Sequence, residues 1–351
     1  MTGARTRTAL PAPRIQFTLP PERTATAPPE SRGVPRDQVR LLVADGTRIH
    51  HSRFSDLGRF LRPGDLLVVN TSATVPAAAD GVRDITGDPV VVHFSATLDT
   101  GERVVELRTA PDAAAPVLDA MAAERIRLAN HTLTLIAPYP TENRRLWRAA
   151  ASPGIDEHLA KVGRPIRYGY VPSPWPLEAY QTVFGIHPGS AEMPSAARAF
   201  TPELVTRLTA QGVLFAPVTL HTGVSSLEPG EPPYPERFSV PSVTAHLVSW
   251  VRDQRHRVIA VGTTVARALE SAVHSDGRVW PADGWTDLVL APDSPPQVLD
   301  GLLTGLHPPD ASHLSMLEAI VGPSMVDRVY RQALRHEYLW HEFGDLTLLL
   351  R

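Results

Sequence analysis

The 351-residue chain contains no cysteine. That excludes disulfides, thiol nucleophiles and cysteine-ligated zinc in one stroke. Lysine is almost absent too: Lys161 stands alone, and arginine carries the rest of the positive charge. A GC-rich genome accounts for that bias without any phosphate-binding purpose. No apolar run reaches the roughly 20 residues of a membrane span. No GxGxxG, Walker loop, GxSxG or HExxH pattern is present, so nucleotide-cofactor, serine-hydrolase and zincin readings lack their signatures. A formal net charge of −3 gives no support to strong nonspecific nucleic-acid affinity. A local basic face is still compatible with that total, so tRNA stays open. The opening MTGARTRTALPAPR is basic and lacks the apolar core of a signal peptide. It reads as a disordered tail on a cytoplasmic protein.

What is present divides into regions. Residues 1–35 are rich in Pro, Arg, Ala and Thr and read as a partly disordered tail, up to Ile15. VRLLVADG and TRIHHSRF around Asp45-Gly46 predict a hairpin. Phe54 to Phe60 predicts a short helix, and Leu66–Asn70 a buried strand. Residues 75–152 alternate apolar and polar positions between Gly, Asp and Asn, which predicts an inserted small β-barrel. Residues 152–180 are proline-heavy and read as a connector. From 181 onward strands alternate with helices. Thr201 is placed to cap a helix with Pro202 at its first position. Val213–Leu220 follows as a buried strand, where Pro217 argues for an edge or a bulge. Ser242 can cap a second helix reaching His256. Arg257–Gly262 is a strand feeding a helix from Thr263, and TDLVLAP a further strand. Helices over about 311–321 and 324–336 precede a terminal strand in FGDLTLLL. The fold expected is an α/β domain with a mostly parallel sheet over 36–74 and 153–351, interrupted by the barrel at 75–152.

Three segments present candidate chemistry. At Ile259 to Arg267 a strand delivers Thr263 and Thr264 to a helix N-terminus, where N–H groups and hydroxyls can hold a carboxylate or ribose oxygens. The plain alternative is that one threonine caps the helix. Arg267 and Glu270, one turn apart, could be simply an ion pair. TLHTGVSS puts His221 just past a strand's carboxyl end, the edge where open α/β sheets bind ligands. His221 suits a general acid or base, or equally a loop histidine satisfied by backbone. His307 precedes two prolines, which favour an extended, rigid loop wall. His336 and His341 sit beside Glu337 and Glu342, but without a metal-ligand spacing, so no metal is expected.

Several blocks stand in the order found in one family. They are RPGDLLVVN (62–70), YQTVFG, the Pro194–Thr201 loop, VTLHTG, VIAVGTTVARALES (258–271), GWTDLVLAP (284–292), GLLTGLHPP and FGD (343–345). Together they resemble the S-adenosylmethionine:tRNA ribosyltransferase-isomerases of queuosine synthesis from about residue 40 to the end. The resemblance implies an α/β domain with an inserted β-barrel. It implies S-adenosylmethionine used as a ribosyl donor, with no metal. The family's reaction joins the donor's ribosyl carbons to the aminomethyl group of 7-aminomethyl-7-deazaguanine in tRNA. Adenine and methionine leave, and an epoxycyclopentanediol remains. Carried onto this chain, the motifs imply His221, Glu236 and His307 as catalytic residues. They imply S-adenosylmethionine contacts at Asn70, Pro194, Ser195, Phe200, Thr219, Gly223, Thr263, Thr264, Arg267, Thr304 and Asp345.

The pattern breaks at a few positions. Thr71, Ala73 and Ala78 stand where the family has Asp and two Arg. Its Pro-Thr-Ala-Gly-Leu-His-Phe is PSAARAF here, so its His is Ala199 and its Gly is Ala197. Tyr234 replaces one histidine of a pair, with Glu236 retained. Gly305 stands for an Asn, while Thr304 and His307 remain. Arginines hold phosphate and carboxylate bidentately, and histidines are the natural carriers for a proton next to the sulfonium or on departing adenine. The expectation is a retained donor pocket with an altered acceptor, tRNA and a small molecule both remaining open, with Ala73, Ala78, Ala199 and Tyr234 clustered around the cleft. Two alternatives remain: the parent tRNA modification, and a non-catalytic S-adenosylmethionine-binding paralogue.

Overall fold

A computed structural model describes residues 13–141, 144–224, 233–309 and 311–351. Most of the expected disordered tail, residues 1–12, therefore lies outside the described residues, as do Ser225 and Ser226 of the TLHTGVSS loop. From Ile15 onward the segment is packed. Arg14 and Ile15 donate backbone N–H groups to the Glu318 carboxylate at 2.9 and 3.0 Å, and Ile15 is buried.

The Asp45-Gly46 turn joins β1 (Arg40–Asp45) to β2 (Arg48–Arg53), with Gly46 in the left-handed conformation the turn requires. A 3-10 turn at Phe54–Arg59 stands where the short helix is expected. Next come β3 (Leu66–Asn70), β4 (Ser72–Thr74), β5 (Ala78–Arg83), β6 (Pro89–Thr97), β7 (Arg103–Thr109), β8 (Arg125–Leu128), β9 (His131–Pro138) and β10 (Leu146–Ala151). Helix α1 (Ile155–Val162) and β11 (His187–Ser190) lead to α2 (Pro202–Ala210), β12 (Leu214–Leu220), β13 (Glu236–Val240), α3 (Ser242–Asp253), β14 (Val258–Val261) and α4 (Thr263–Ser271). The chain closes with β15 (Ala282–Thr286), β16 (Gly301–Gly305), α5 (His313–Val321), α6 (Pro323–Arg335) and β17 (Leu346–Leu350).

Two compact units result. The first comprises residues 1–71, 195–220 and 226–351; the second comprises 72–194 and 221–225. In the first unit a nine-stranded sheet runs β15-β13-β12-β3-β14-β16-β17-β1-β2. The sheet is mixed. Its centre, β12-β3-β14-β16, is parallel, as is β17 with β1, whereas β15-β13-β12, β16-β17 and β1-β2 pair antiparallel. The parallel pattern expected from the βα alternation thus holds in the core, and hairpin-like returns build the flanks. Strand β3 is buried at every position. Each of its aliphatic side chains contributes about 1.5–3 kcal/mol of burial, an upper estimate. Helices α3 and α4 pack on β12 and β14, and α5 packs on β16 and β17.

Pro217 lies where β12 is paired on one side only. Its partner Val69 is on β3, and pairing with β13 begins at Thr219. The missing N–H is therefore never needed by the second neighbour. Thr201 caps α2, its hydroxyl accepting from Leu204 N at 3.1 Å. Ser242, by contrast, is the first residue of α3; Pro241 holds the cap position, and the helix ends at Asp253 rather than His256. The strand expected in TDLVLAP sits earlier, at β15, because ADGWT pairs with β13 whereas residues 287–290 form no strand.

In the second unit β10-β7-β6-β5-β8-β9 close into a barrel. Its apolar filling includes Val92, Val105, Leu107, Ile126, Leu133 and Trp147. A buried carboxylate, Glu106, lies between Arg108 at 2.7 Å and Arg145 at 3.2 Å. The former connector belongs to this unit, where α1 packs on β5 and β11 pairs with β4 in parallel.

Candidate functional site

In the first unit the chain leaves β14 through Gly262, whose φ of +102° is open to glycine and strained for other residues. Neither threonine hydroxyl caps α4; Gly262 occupies the cap position with no side-chain bond. The capping alternative therefore does not describe Thr263 or Thr264. Asn70, at the carboxyl end of β3, donates to Leu220 O at 2.8 Å and accepts from Leu220 N at 3.0 Å. Its amide extends the ladder by one step and also points at the Thr264 hydroxyl, 3.5 Å away. Beside it the Thr71 hydroxyl meets Thr219 Oγ1 at 2.9 Å and Val218 O at 3.1 Å. Asn70, Thr71, Thr219 and Thr264 thus gather polar groups where three neighbouring elements end.

Arg267 is 7% exposed and bonded along its whole guanidinium. It forms an ion pair with Glu236 and donates to Leu288 O at 3.0 Å, Thr286 O at 3.0 Å and Tyr234 O at 3.3 Å. The partner of Arg267 is Glu236, not Glu270. Glu270 instead accepts backbone N–H groups from Gln297, Val298 and Leu299, and burial pushes its carboxyl up. The three-dimensional turn from α4 back to β13 and β15 decides this, and it overrides the one-turn spacing on the helix. Tyr234 is buried, its carbonyl consumed by Arg267.

His307 Nε2 and the Thr304 hydroxyl are 3.1 Å apart, and its backbone is held by Tyr330 and Trp340. The His307 ring stacks on His313 with centroids 4.6 Å apart. Burial, then the neighbouring His313 and His341, holds His307 well below its usual range; burial brings His313 to about 4. Asp345 uses both carboxylate oxygens on backbone N–H groups, from Arg40 and Leu339, each at 2.8 Å, and burial raises its pKa. Phe200 packs edge-on against Phe54 and Phe215 in the core. Thr263 is likewise buried.

A cleft in this unit is lined by Ser195, Arg198, Ala199, Gly305, His341 and Phe343, among others. Ala199 and Gly305, two positions where the sequence resemblance leads one to expect other residues, are both among the residues that line it. Arg198, which sequence reasoning passed over, is buried there. Its signal was visible as the Arg within PSAARAF.

Pro194, His221 and Gly223 belong to the second unit. His221 Nδ1 lies 2.7 Å from Ser72 Oγ, which lies 2.7 Å from Ser190 Oγ. The backbone of Gly189 approaches so closely that a Cβ would stand 2.5 Å from the imidazole. The Ser72 hydroxyl, itself bonded to Ser190, holds this ring at Nδ1. That holds the imidazole in one orientation, as an acid–base group requires. Ser72 and Ser190 were missed because nothing in sequence pairs β4 with β11. Gly223 is similarly pressed against Ser95. Ala73 and Ala78 are buried in this unit, Ala78 within an apolar cluster with Val91 and Ile166. Among the described residues no group of three or more His, Asp or Glu is arranged to hold a metal ion.

Comparison with known proteins bears on this arrangement. A family profile described as queuosine biosynthesis protein matches residues 13–349. S-adenosylmethionine:tRNA ribosyltransferase-isomerase from Symbiobacterium thermophilum is 33% identical over 96% of this chain and 98% of its own length. The protein of the same description from Deinococcus radiodurans is 35% identical over 96% of this chain and 94% of its own. Among solved structures, S-adenosylmethionine tRNA ribosyltransferase from Thermotoga maritima superposes with a TM-score of 0.54 at 26% identity, covering 95% of this chain and 99% of that one.

Proposed function

Because this chain belongs to the queuosine biosynthesis protein family, we propose that it is an S-adenosylmethionine-dependent ribosyl transferase whose acceptor side has been rebuilt. On the donor side the family's residues persist. Asn70, Thr219 and Thr264 converge at the carboxyl end of the parallel strands, the edge where open α/β sheets take their ligands. The N-terminus of α4, which no side chain caps, suits the donor's carboxylate or ribose oxygens.

What supports the altered acceptor is that Ala199 and Gly305 both line one cleft. The family pattern has a histidine and an asparagine at those positions, and here both side chains have shrunk in one cleft while an arginine, Arg198, has entered it. Of the four residues expected to cluster around the cleft, Ala199 alone lines it: Ala73 and Ala78 are buried in the second unit and Tyr234 is not among the lining residues, so the argument rests on Ala199 and Gly305. Truncating one member of a catalytic or binding pair costs several kcal/mol unless its counterpart is lost too. His221, fixed by Ser72, and His307, beside Thr304, remain as the groups able to move a proton in the second and first units respectively.

Retention of the parent reaction on tRNA is the second reading, favoured by the end-to-end match to proteins of that description. Both readings require donor binding without metal. Calorimetry with S-adenosylmethionine in the presence of a chelator should show saturable binding. No heat at millimolar donor, or binding that the chelator abolishes, would remove the basis of both.

A further inference from the structure

One charge in the cleft of the first unit has no part in the chemistry above. Arg198 is 4% exposed and occupies the position where the family pattern has leucine. Arg36 lines the same cleft. Both guanidiniums converge on one carboxylate. Arg36 Nε donates to Glu30 Oε1 at 3.0 Å and Arg198 Nη2 donates to Glu30 Oε2 at 2.9 Å. The Phe343 ring lies under Arg198, 5.1 Å from ring centroid to guanidinium, a cation–π distance that fixes its plane. Such a pair of guanidiniums takes the oxygens of a phosphate as readily as those of a carboxylate.

The two sides of this contact are unequally anchored. The Arg198 side chain is 5% exposed, that of Glu30 39%. Glu30 stands on a short 3-10 turn, Pro29–Arg32. A buried guanidinium is stable only while paired; the Glu342 carboxylate, which lines the same cleft, also favours the charge on Arg198, so Glu30 is not the sole anion that supports it. The cleft lined by Ala199 and Gly305 holds about 10 Å³, room for one water at most, so a phosphate enters only where the Glu30 carboxylate leaves.

Resting on the reading of a rebuilt acceptor side, we infer that Arg198 and Arg36 form an oxyanion subsite that takes a phosphate group of the acceptor in place of the Glu30 carboxylate. Glu30 is the resident occupant, pairing the arginines until the acceptor arrives. A free nucleotide and a nucleic-acid backbone both offer that phosphate, and the assay below separates them.

The test is a calorimetric titration of the full chain with inorganic phosphate, with GMP and with unmodified tRNA. Wild type binds phosphate and GMP with millimolar dissociation constants. Glu30→Gln, which removes the competing charge, tightens both by about fivefold, the scale of one half-exposed ion pair. Arg198→Leu abolishes the binding, and Arg36→Gln weakens it, which keeps the test valid if the leucine variant folds poorly. Binding of tRNA that is lost in Arg198→Leu, without GMP binding, assigns the subsite to a backbone phosphate and removes the rebuilt-acceptor reading on which the inference rests. Absence of binding by every probe to both wild type and Glu30→Gln overturns the inference, and so does binding that survives Arg198→Leu. S-adenosylmethionine titrated in parallel keeps the two readings apart. Phosphate binding without donor binding defeats the donor assignment alone, and donor binding without phosphate binding defeats the subsite alone.

Discussion

Arg267 provides the sharpest test of how the donor side is held. Its guanidinium joins the carboxylate of Glu236 and the carbonyls of Tyr234, Thr286 and Leu288, tying α4 to β13, β15 and the chain between them. Arg267→Met preserves the length of the stem and deletes every one of these bonds, leaving Glu236 buried without its cation. Breaking a buried pair from one side costs about 3–5 kcal/mol. At roughly 2 °C per kcal/mol for a chain of this size, the unfolding temperature should fall by about 6–10 °C. Scanning calorimetry measures it. Glu236→Gln retains a hydrogen-bond acceptor and should cost less than half as much. Donor affinity of folded Arg267→Met should fall no more than about threefold, because the guanidinium is already satisfied by protein. A thermal shift below 2 °C together with loss of S-adenosylmethionine binding would refute this and make Arg267 a direct ligand contact.

Further outcomes follow from the same geometry. Thr264→Val, which removes a hydroxyl at the start of α4, should weaken S-adenosylmethionine binding by about tenfold with an unchanged melting curve, the scale of one hydrogen bond. His221→Ala should leave donor binding intact and abolish turnover; unfolding of the variant instead would give the His221–Ser72 contact a purely structural role. Burial brings His313 to about 4 from its ordinary 6.5, so the unfolded chain binds the proton more readily. Stability is then complete above pH 6.5 and is lost as pH falls toward 4, by on the order of 3 kcal/mol from this one group. Urea unfolding of wild type against His313→Gln across pH 4–7 should show a flatter profile for the variant.

Much of the architecture could be read in advance wherever local rules decide it. The Asp45-Gly46 hairpin, the capped helix after Thr201 and the buried run Leu66–Asn70 each rest on residues adjacent in sequence. The barrel announced itself through alternation and turn residues. What escaped depended on contacts between distant segments. Nothing near Glu236 in sequence names Arg267 as its partner, and spacing pointed Arg267 at Glu270 instead. The closeness of Ser72 to His221 needs β4 beside β11, a parallel pairing with no sequence signal of its own. The mixed character of the sheet had the same cause, since β16 and β17 become antiparallel neighbours only when the sheet is assembled. Asp345, assigned to the donor from its FGD motif, has both oxygens committed to backbone N–H groups. Motif membership marked a residue that the fold needs, without distinguishing support from contact.

The central claim concerns what accepts the ribosyl group, and one comparison addresses it directly. Transfer RNA carrying 7-aminomethyl-7-deazaguanine is incubated with S-adenosylmethionine and either this chain or the Symbiobacterium thermophilum relative at equal concentration, and the digested nucleosides are quantified by mass spectrometry. A rebuilt acceptor side predicts that this chain forms epoxyqueuosine at least about a hundredfold more slowly than the relative, the scale of losing one acid–base contribution. Formation at a rate equal to the relative's would contradict the claim and restore the parent reaction.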